Sequence, residues 1–511
     1  MKTISSLNSL MPIRLLVVAV LFLQGVMYPH TSLAKESGSL RGLEASIVTL
    51  EITRQTYDYQ QPWTRRTDQV TKMGVVLAGN EILTTADFLQ DHTLIRIQKG
   101  GRGLWVEGNL KWIDYHANMA VIDLSDSKFW VGLKPIVIAK QTPSRGPAQM
   151  VRWRNGVLES RDLSINRLSV KKGKLTFIDV LQLELDTEIA GIGWSEAIVR
   201  GQQLIGITSS KEEHTCAALP ASFLRMCLAA RQEAKPFRGL GYFAFVWQRS
   251  NNPATLEFLN LRGEPRGVVV LDVPKNTRPE GALQPQDLIL NVEGFDIDTQ
   301  GDYLDPEFGV LSMENLATRN RWAGDQVRLK VLRTGKEVDT TYQLPKADYK
   351  ADSVPDAAFD QEPEYLIMGG LVFQPLSVPY LQSWGTDYLR KAPFRLSFTT
   401  QNKTSLDRPS LVVLSTILPD SYNLGYQEAR WLILDAMNGK KINRLSDLIE
   451  GKKAAKNGLH ELFFQQGDSL SKLMLDATQT DEATQRVLDR YGIEKPFVFA
   501  PATSTKETPQ R

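Results

Sequence analysis

TKMGVVLAGNEILTTAD, residues 71–87, reads as a β-hairpin. Met73 to Ala78 is an apolar run, Gly79-Asn80 is a turn pair that accepts positive φ, and an apolar run resumes at Ile82. The same texture extends from Ala45 to about Thr208, through Leu94 to Gln98, Met119 to Leu124, Pro135 to Ala139, Thr176 to Leu185 and Gln203 to Thr208. Short strands at this spacing, with no helix-period segment between them, predict a β-barrel or sandwich. Pro220 to Arg231 then reads as a helix that places Phe223, Leu224, Cys227 and Leu228 on one face.

A length of 511 residues predicts three or four domains. Lys and Arg total 60 against 58 Asp and Glu, and no basic run stands out, which argues against a nucleic-acid partner. Residues 1–34 read as a cleaved signal peptide: Lys2 and Arg14 precede the apolar run Leu15 to Val26, and Ser32-Leu33-Ala34 offers a small-x-small cleavage site. The run is shorter than a spanning helix needs and Gln24 interrupts it, so no stable membrane span is expected after cleavage and the mature chain is expected in a periplasm or otherwise exported. Export would permit a disulfide between the only two cysteines, Cys216 and Cys227, and two separate buried thiols is the other reading. No metal site and no cofactor are expected. The histidines are scattered, the cysteines are few, and no Gly-rich phosphate loop follows a strand.

Beyond Gly239 the pattern becomes mixed α/β. Gly267 to Val273, Asp287 to Val292 and Val327 to Leu332 read as strands, the last two closed by Glu293-Gly294 and Thr334-Gly335. Residues 346–362 are acidic and proline-bearing and read as a linker. A second mixed unit echoes the first. Gly239-Leu240-Gly241-Tyr242-Phe243 opens one and Gly370-Leu371-Val372-Phe373 the other, while Leu288 to Gly294 echoes Leu432 to Gly439. A period of this length fits a duplicated domain and not a solenoid. The tail, residues 500–511, is polar and expected to be disordered.

This order, with two units opening on Gly-Leu-x-aromatic, resembles the HtrA/Deg serine proteases, in particular the long Deg type with two PDZ domains. The resemblance implies a multi-domain chain: an all-β chymotrypsin-like double barrel over 40–235, a PDZ domain over 236–345, and a second PDZ-like α/β domain over 363–499. It also locates the catalytic segments. The family's Leu-Thr-Asn-Ala-His stands here as Leu83-Thr84-Thr85-Ala86-Asp87, its Asp-Leu-Ala-Val as Asn118-Met119-Ala120-Val121, and its Gly-Asn-Ser-Gly-Gly-Pro-Ala as Gly191-Ile192-Gly193-Trp194-Ser195-Glu196-Ala197. Asp87, Asn118 and Gly193 therefore occupy the triad positions.

Acyl transfer needs a nucleophile, a base titrating near neutrality and a group that orients the base. Glycine has no hydroxyl, a carboxylate is a weak base at pH 7, and asparagine cannot stabilise an imidazolium. The expectation is a pseudoprotease, not an enzyme. The alternative is a serine endopeptidase with an atypical site, in which Ser195 is a shifted nucleophile. Its sequence context lacks the Gly-x-Ser-x-Gly elbow, and its base would come from His92, His116, His214 or His460, with His92 and His116 read as surface residues beside strand ends.

The resemblance implies peptide binding at the two PDZ openings, Gly239 to Phe243 and Gly370 to Phe373. There backbone N–H groups would hold a C-terminal carboxylate and a strand edge would add the peptide. The expected partners are polypeptide C-termini or unfolded proteins, or active Deg proteases that an inactive subunit would regulate. The resemblance implies a trimer-based homo-oligomer.

Overall fold

The computed structural model describes residues 42–233, 236–274, 282–401, 408–465 and 470–500. The expected signal peptide and residues 501–511 lie outside them. Strand β1 (Ile47–Tyr57) is bonded on one edge to β2 (Arg65–Leu77) and on the other to β4 (His92–Lys99), which is why Ile47, Val48, Leu50 and Ile52 are fully enclosed. With β3 (Glu81–Thr84), β5 (Val106–Asp114) and β6 (Met119–Asp123) they form a closed barrel in the order β1-β2-β3-β6-β5-β4. The hairpin turns where the sequence placed it: Leu77 pairs with Glu81 across Gly79 and Asn80, at φ 82° and 58°.

A second barrel follows from β7 (Val137–Ile138), β8 (Gly146–Arg154), β9 (Val157–Lys172), β10 (Asp179–Asp186), β11 (Ala197–Arg200), β12 (Gln203–Lys211) and β13 (Thr215–Pro220). Its order is β11-β8-β9-β10-β13-β12, the extra β11–β12 pairing closes it, and β7 adds outside in parallel to β12. Helix α1 (Ala221–Glu233) seals the seam between the barrels: Phe223, Leu224 and Cys227 join Leu83 and Val121 of the first barrel and Ile207 of the second in one core. Cys216 and Cys227 are free, buried thiols in different core clusters, so the bridge left open by the sequence is not formed; burial pushes the Cys216 thiol up to about 12.

The next sheet is antiparallel, in the order Val246–Arg249, Val268–Asp272, Leu288–Val292, Gln326–Arg333 and Lys336–Gln343. Its core runs into the second barrel, where Phe243, Phe245 and Met313 share one cluster with Leu168, Leu181 and Leu183. The last sheet carries Leu371–Pro375 between Tyr365–Met368 and Val412–Ile417. Helix Thr480–Tyr491 covers it through Val487 and Leu488.

The expected linker is not a free tether. Tyr349 stacks on His116 at 4.0 Å and donates its hydroxyl to Leu175 O at 2.6 Å, while Asp360 accepts from Tyr115 Oη at 2.7 Å and from Asp91 N at 2.8 Å. Composition marked the stretch as acidic, but its aromatic side chains fasten it to both barrels. Burial and the neighbouring Asp360 raise Asp91 to about 7. No helix among the described residues is long and apolar enough to cross a membrane.

Candidate active-site remnant

The three positions that the motif alignment sets against a catalytic triad lie on loops at the inter-barrel seam. Asp87 lies just after β3, Asn118 just before β6, and Gly193 on the loop entering β11. Asp87 N donates to Asn118 Oδ1 at 2.9 Å. The Asp87 carboxylate faces a cation, with Oδ2 at 2.8 Å from Lys174 Nζ, and is itself buried. Gly193 has φ 107°, and a Cβ there would stand 3.1 Å from the Ser210 carbonyl carbon, so both dihedral and space oppose a side chain at the nucleophile position.

Glu196 folds back onto its own loop beside Gly193. Its Oε2 accepts from Gly193 N at 3.0 Å and Trp194 N at 2.8 Å, and the Thr208 hydroxyl donates to the same oxygen. Arg152, itself bound to Gly191 O at 2.8 Å, stands 3.7 Å from Glu196 Oε1. A chymotrypsin-type serine protease holds the oxyanion with the N–H of the nucleophile and that of the residue two before it. In the motif alignment these are Gly193 and Gly191. One of them, Gly193 N, is bonded to the Glu196 carboxyl group, which is 1% exposed.

Ser195 is 1% exposed and sits at φ 66°, a left-handed conformation. Its Oγ lies 2.6 Å from Thr85 Oγ1 and accepts from Thr85 N at 3.2 Å. Behind Thr85, Lys72 Nζ donates to Thr85 O at 2.7 Å, Thr85 Oγ1 at 2.8 Å and Asp87 O at 2.6 Å. Burial pulls Lys72 down to about 7, against the attraction of Asp87. Two of its three oxygen partners are carbonyls that only accept, while the Thr85 hydroxyl can donate or accept and stands between Nζ and Ser195 Oγ. Lys72 thus buttresses the loop and reaches Ser195 only through Thr85. Trp194 closes the front: its carbonyl accepts from Met73 N at 2.9 Å and its ring stacks on Phe88 at 4.7 Å.

The histidines are elsewhere. His92 bonds Leu89 O at 2.8 Å, His214 pairs with Glu188, and His460 lies beside Asn438 in the last sheet. His116 is not a surface residue. It is half-buried beneath Tyr349 and contacts Thr176 Oγ1 at 2.8 Å, and burial lowers it to about 4.

The two expected peptide loops differ from expectation and from each other. Leu240, expected to shape a ligand pocket, is 1% exposed and packs in the barrel-seam core that includes Phe223. Gly239 is the position with positive φ, 81°; Gly241 is needed for a close approach, since a Cβ would stand 2.7 Å from Leu344 Cβ. Tyr242 packs against Phe177 at 5.2 Å, and Phe243 against Phe245 at 5.1 Å. The strand that follows, Val246–Arg249, is the outermost of its sheet, and among the described residues no strand pairs with its outer edge. Gly370, by contrast, turns directly into a strand whose two edges are both occupied, with Leu371, Val372 and Phe373 wholly buried.

The residues that sequence reasoning missed are Glu196, Lys72, Thr85 and Lys174. Glu196 left a trace, a glutamate where the resembled motif has proline. The other three left none, because their roles depend on barrel register.

A PDZ-domain family matches residues 354–497. The chain is 22% identical over 476 residues to protease Do-like 2, chloroplastic, of Arabidopsis thaliana, covering 88% of this chain and 74% of that one. It is 21% identical over 405 residues to protease Do-like 4, mitochondrial, from the same organism, covering 76% and 73%. A solved structure of a variant of the HtrA-type protease AlgW with a decapeptide aligns at TM-score 0.47 and 17% identity, over 61% of this chain and 97% of that chain. By its double barrel and its sequence the chain is similar to these Do-like proteases, and it carries a PDZ-type domain over residues 354–497.

Proposed function

We propose that this protein is an exported, non-proteolytic relative of the HtrA/Deg proteases that binds polypeptides as an adaptor, a chaperone or a regulatory subunit, assembled as a homo-oligomer. The observation that carries the reading is the Glu196 carboxylate seated on Gly193 N and Trp194 N. A tetrahedral intermediate would have to compete with that buried group for Gly193 N, one of the two donors it needs, and glycine at 193 offers no hydroxyl to form it. Ser195 does not fill the role, being buried and bound to Thr85. Peptide capture is assigned to the outer edge of Val246–Arg249, where an extended chain would add as a further strand.

The test is hydrolysis of unfolded casein together with labelling by a fluorophosphonate probe. We expect no hydrolysis above buffer and no adduct on Ser195; stoichiometric labelling there would overturn the proposal. The triple variant D87H/N118D/G193S is also expected to stay inactive, because Glu196 still occupies the backbone N–H at 193 and a side chain at 193 is crowded. Proteolysis by the triple variant would show that Glu196 yields to substrate.

A further inference from the structure

A cavity of about 350 Å³ lies where the loop between β1 and β2 meets the last domain. None of its lining residues belongs to Val246–Arg249, the strand assigned to peptide capture, or to the loops that carry Asp87, Asn118 and Gly193. Five of its lining side chains are aromatic: Trp63 from the loop, Tyr380 and Trp384 from the helical insertion after Pro375, Trp431, and Tyr491 at the end of the terminal helix. Trp384 stands edge-on to both Trp431, at 6.0 Å, and Tyr380, at 5.4 Å. Trp431 holds φ 62°, an unusual conformation for a bulky side chain, fixed by its N–H bond to Leu414 O at 2.7 Å. Strain of this kind persists only where the surroundings impose it, and it gathers at binding sites.

The charge of the lining narrows the ligand. Arg430 lies over the Trp431 ring at 4.4 Å, and its recorded ion partner is the exposed Glu428 at 3.8 Å. No carboxylate lines the cavity, so an aromatic cage for a cation is excluded: an incoming cation would meet Arg430 without a counter-charge. Three of the polar side chains already hold hydrogen bonds. Ser415 donates to Val372 O and accepts from Gln374, Gln60 donates to Ser383 Oγ, and Gln61 accepts from the Thr64 hydroxyl. A sugar would bring many hydroxyls to few free partners, and each buried unpaired hydroxyl is costly. A ligand with one aromatic body and one carboxylate matches the site: rings for the body and a guanidinium for the charge.

We propose that this cavity binds the C-terminal aromatic residue of a polypeptide, the ring among Trp63, Trp384 and Trp431 and the α-carboxylate on Arg430. Its walls come from both the barrel domain and the last domain, so occupancy would join the two.

The experiment uses the full-length protein and a hexapeptide ending in phenylalanine, read by tryptophan fluorescence and calorimetry. We expect saturable binding, at least tenfold weaker for the peptide amide, with that preference lost in Arg430→Gln and binding lost in Trp384→Ala, whose fold circular dichroism would verify. Equal affinity for acid and amide would overturn the proposal. So would binding untouched by both variants, which would place the peptide at the Val246–Arg249 edge and leave the functional reading standing. Binding of N-acetylphenylalanine without the hexapeptide would identify a small-molecule site, and tighter binding of chitotriose a glycan site; either result overturns it.

Discussion

The two sheets behind the barrels open on the same sequence pattern and put it to opposite uses. In the first, Gly239 to Phe243 is absorbed into the seam with the protease-type domain, and the strand after it remains the outermost of its sheet. In the second, the glycine pair at 369–370 makes a tight hairpin, and the preceding strand Tyr365–Met368 takes the edge to which a peptide would otherwise add. A Gly-Leu-x-aromatic opening therefore marks a turn that leads into a strand, exposed at Val246–Arg249 and buried at Leu371–Pro375. Whether that strand is open to a ligand is decided by what lies beside it in space.

The largest expected effect comes from the closed strand. Phe373 is fully buried between two bonded neighbours, so Phe373→Ala should cost about 3–5 kcal/mol, in the range for large-to-small aromatic changes in cores. Val246→Ala on the open edge, where the side chain is half exposed, should stay within about 0.5 kcal/mol. Urea unfolding of the two variants checks this, and comparable losses would mean that the edge strand is covered in solution. Next come the glycines. Gly239 and Gly370 both hold positive φ, so alanine at either should cost about 1–2 kcal/mol. At Gly239 the nearest atom to an added Cβ is 3.7 Å away, whereas at Gly370 the Leu418 carbonyl oxygen and the Asn423 amide stand in its way. Gly370→Ala should therefore exceed Gly239→Ala by at least about 1 kcal/mol, and equal costs would show that the Asn423 turn yields.

Much of this was legible because it is local. The turn at Gly79-Asn80, the helix after Pro220 and the strand ends at Glu293-Gly294 and Thr334-Gly335 follow from residues whose conformations the turns require, and each of these turn residues has positive φ. The echo between Leu288 to Gly294 and Leu432 to Gly439 is also real: each is a strand running into a left-handed pair, Glu293-Gly294 or Asn438-Gly439. Legibility ended at contacts between distant segments. Residues 346–362 look like a solvated linker until Tyr349 meets His116, and Leu240 looks like a pocket residue until it joins the core at the barrel seam. The site shows both cases at once. The motif alignment placed Asp87, Asn118 and Gly193 at one seam, but the carboxylate that occupies it is Glu196, whose meaning appears only when its side chain folds back on its own loop.

The smallest expected effect concerns how the open strand is seated. Trp247, within Val246–Arg249, donates its indole N–H to Glu314 Oε1 at 2.7 Å. Burial, with a smaller push from Asp179 of the second barrel and against the pull of the Trp247 bond, raises Glu314 from 4.5 to about 7. In the unfolded chain this carboxyl loses its proton near pH 4, while in the folded chain it keeps it up to about pH 7. Between those values the native state binds more protons, so stability falls as pH rises through the window and levels off above it. A shift of that size corresponds to up to about 3 kcal/mol, and water reaching the half-buried side chain reduces the expected change to about 1 kcal/mol. Glu314→Gln keeps an oxygen for the indole and cannot ionise. The variant should match the wild type at pH 4 and exceed it by about 1 kcal/mol at pH 8 in chemical denaturation, with the gap opening across the window. Taking the difference between the two proteins cancels other titrating groups, Asp91 included. Parallel curves would mean that Glu314 ionises freely in the folded state, and that the edge strand is held by packing against the barrel and not by this bond.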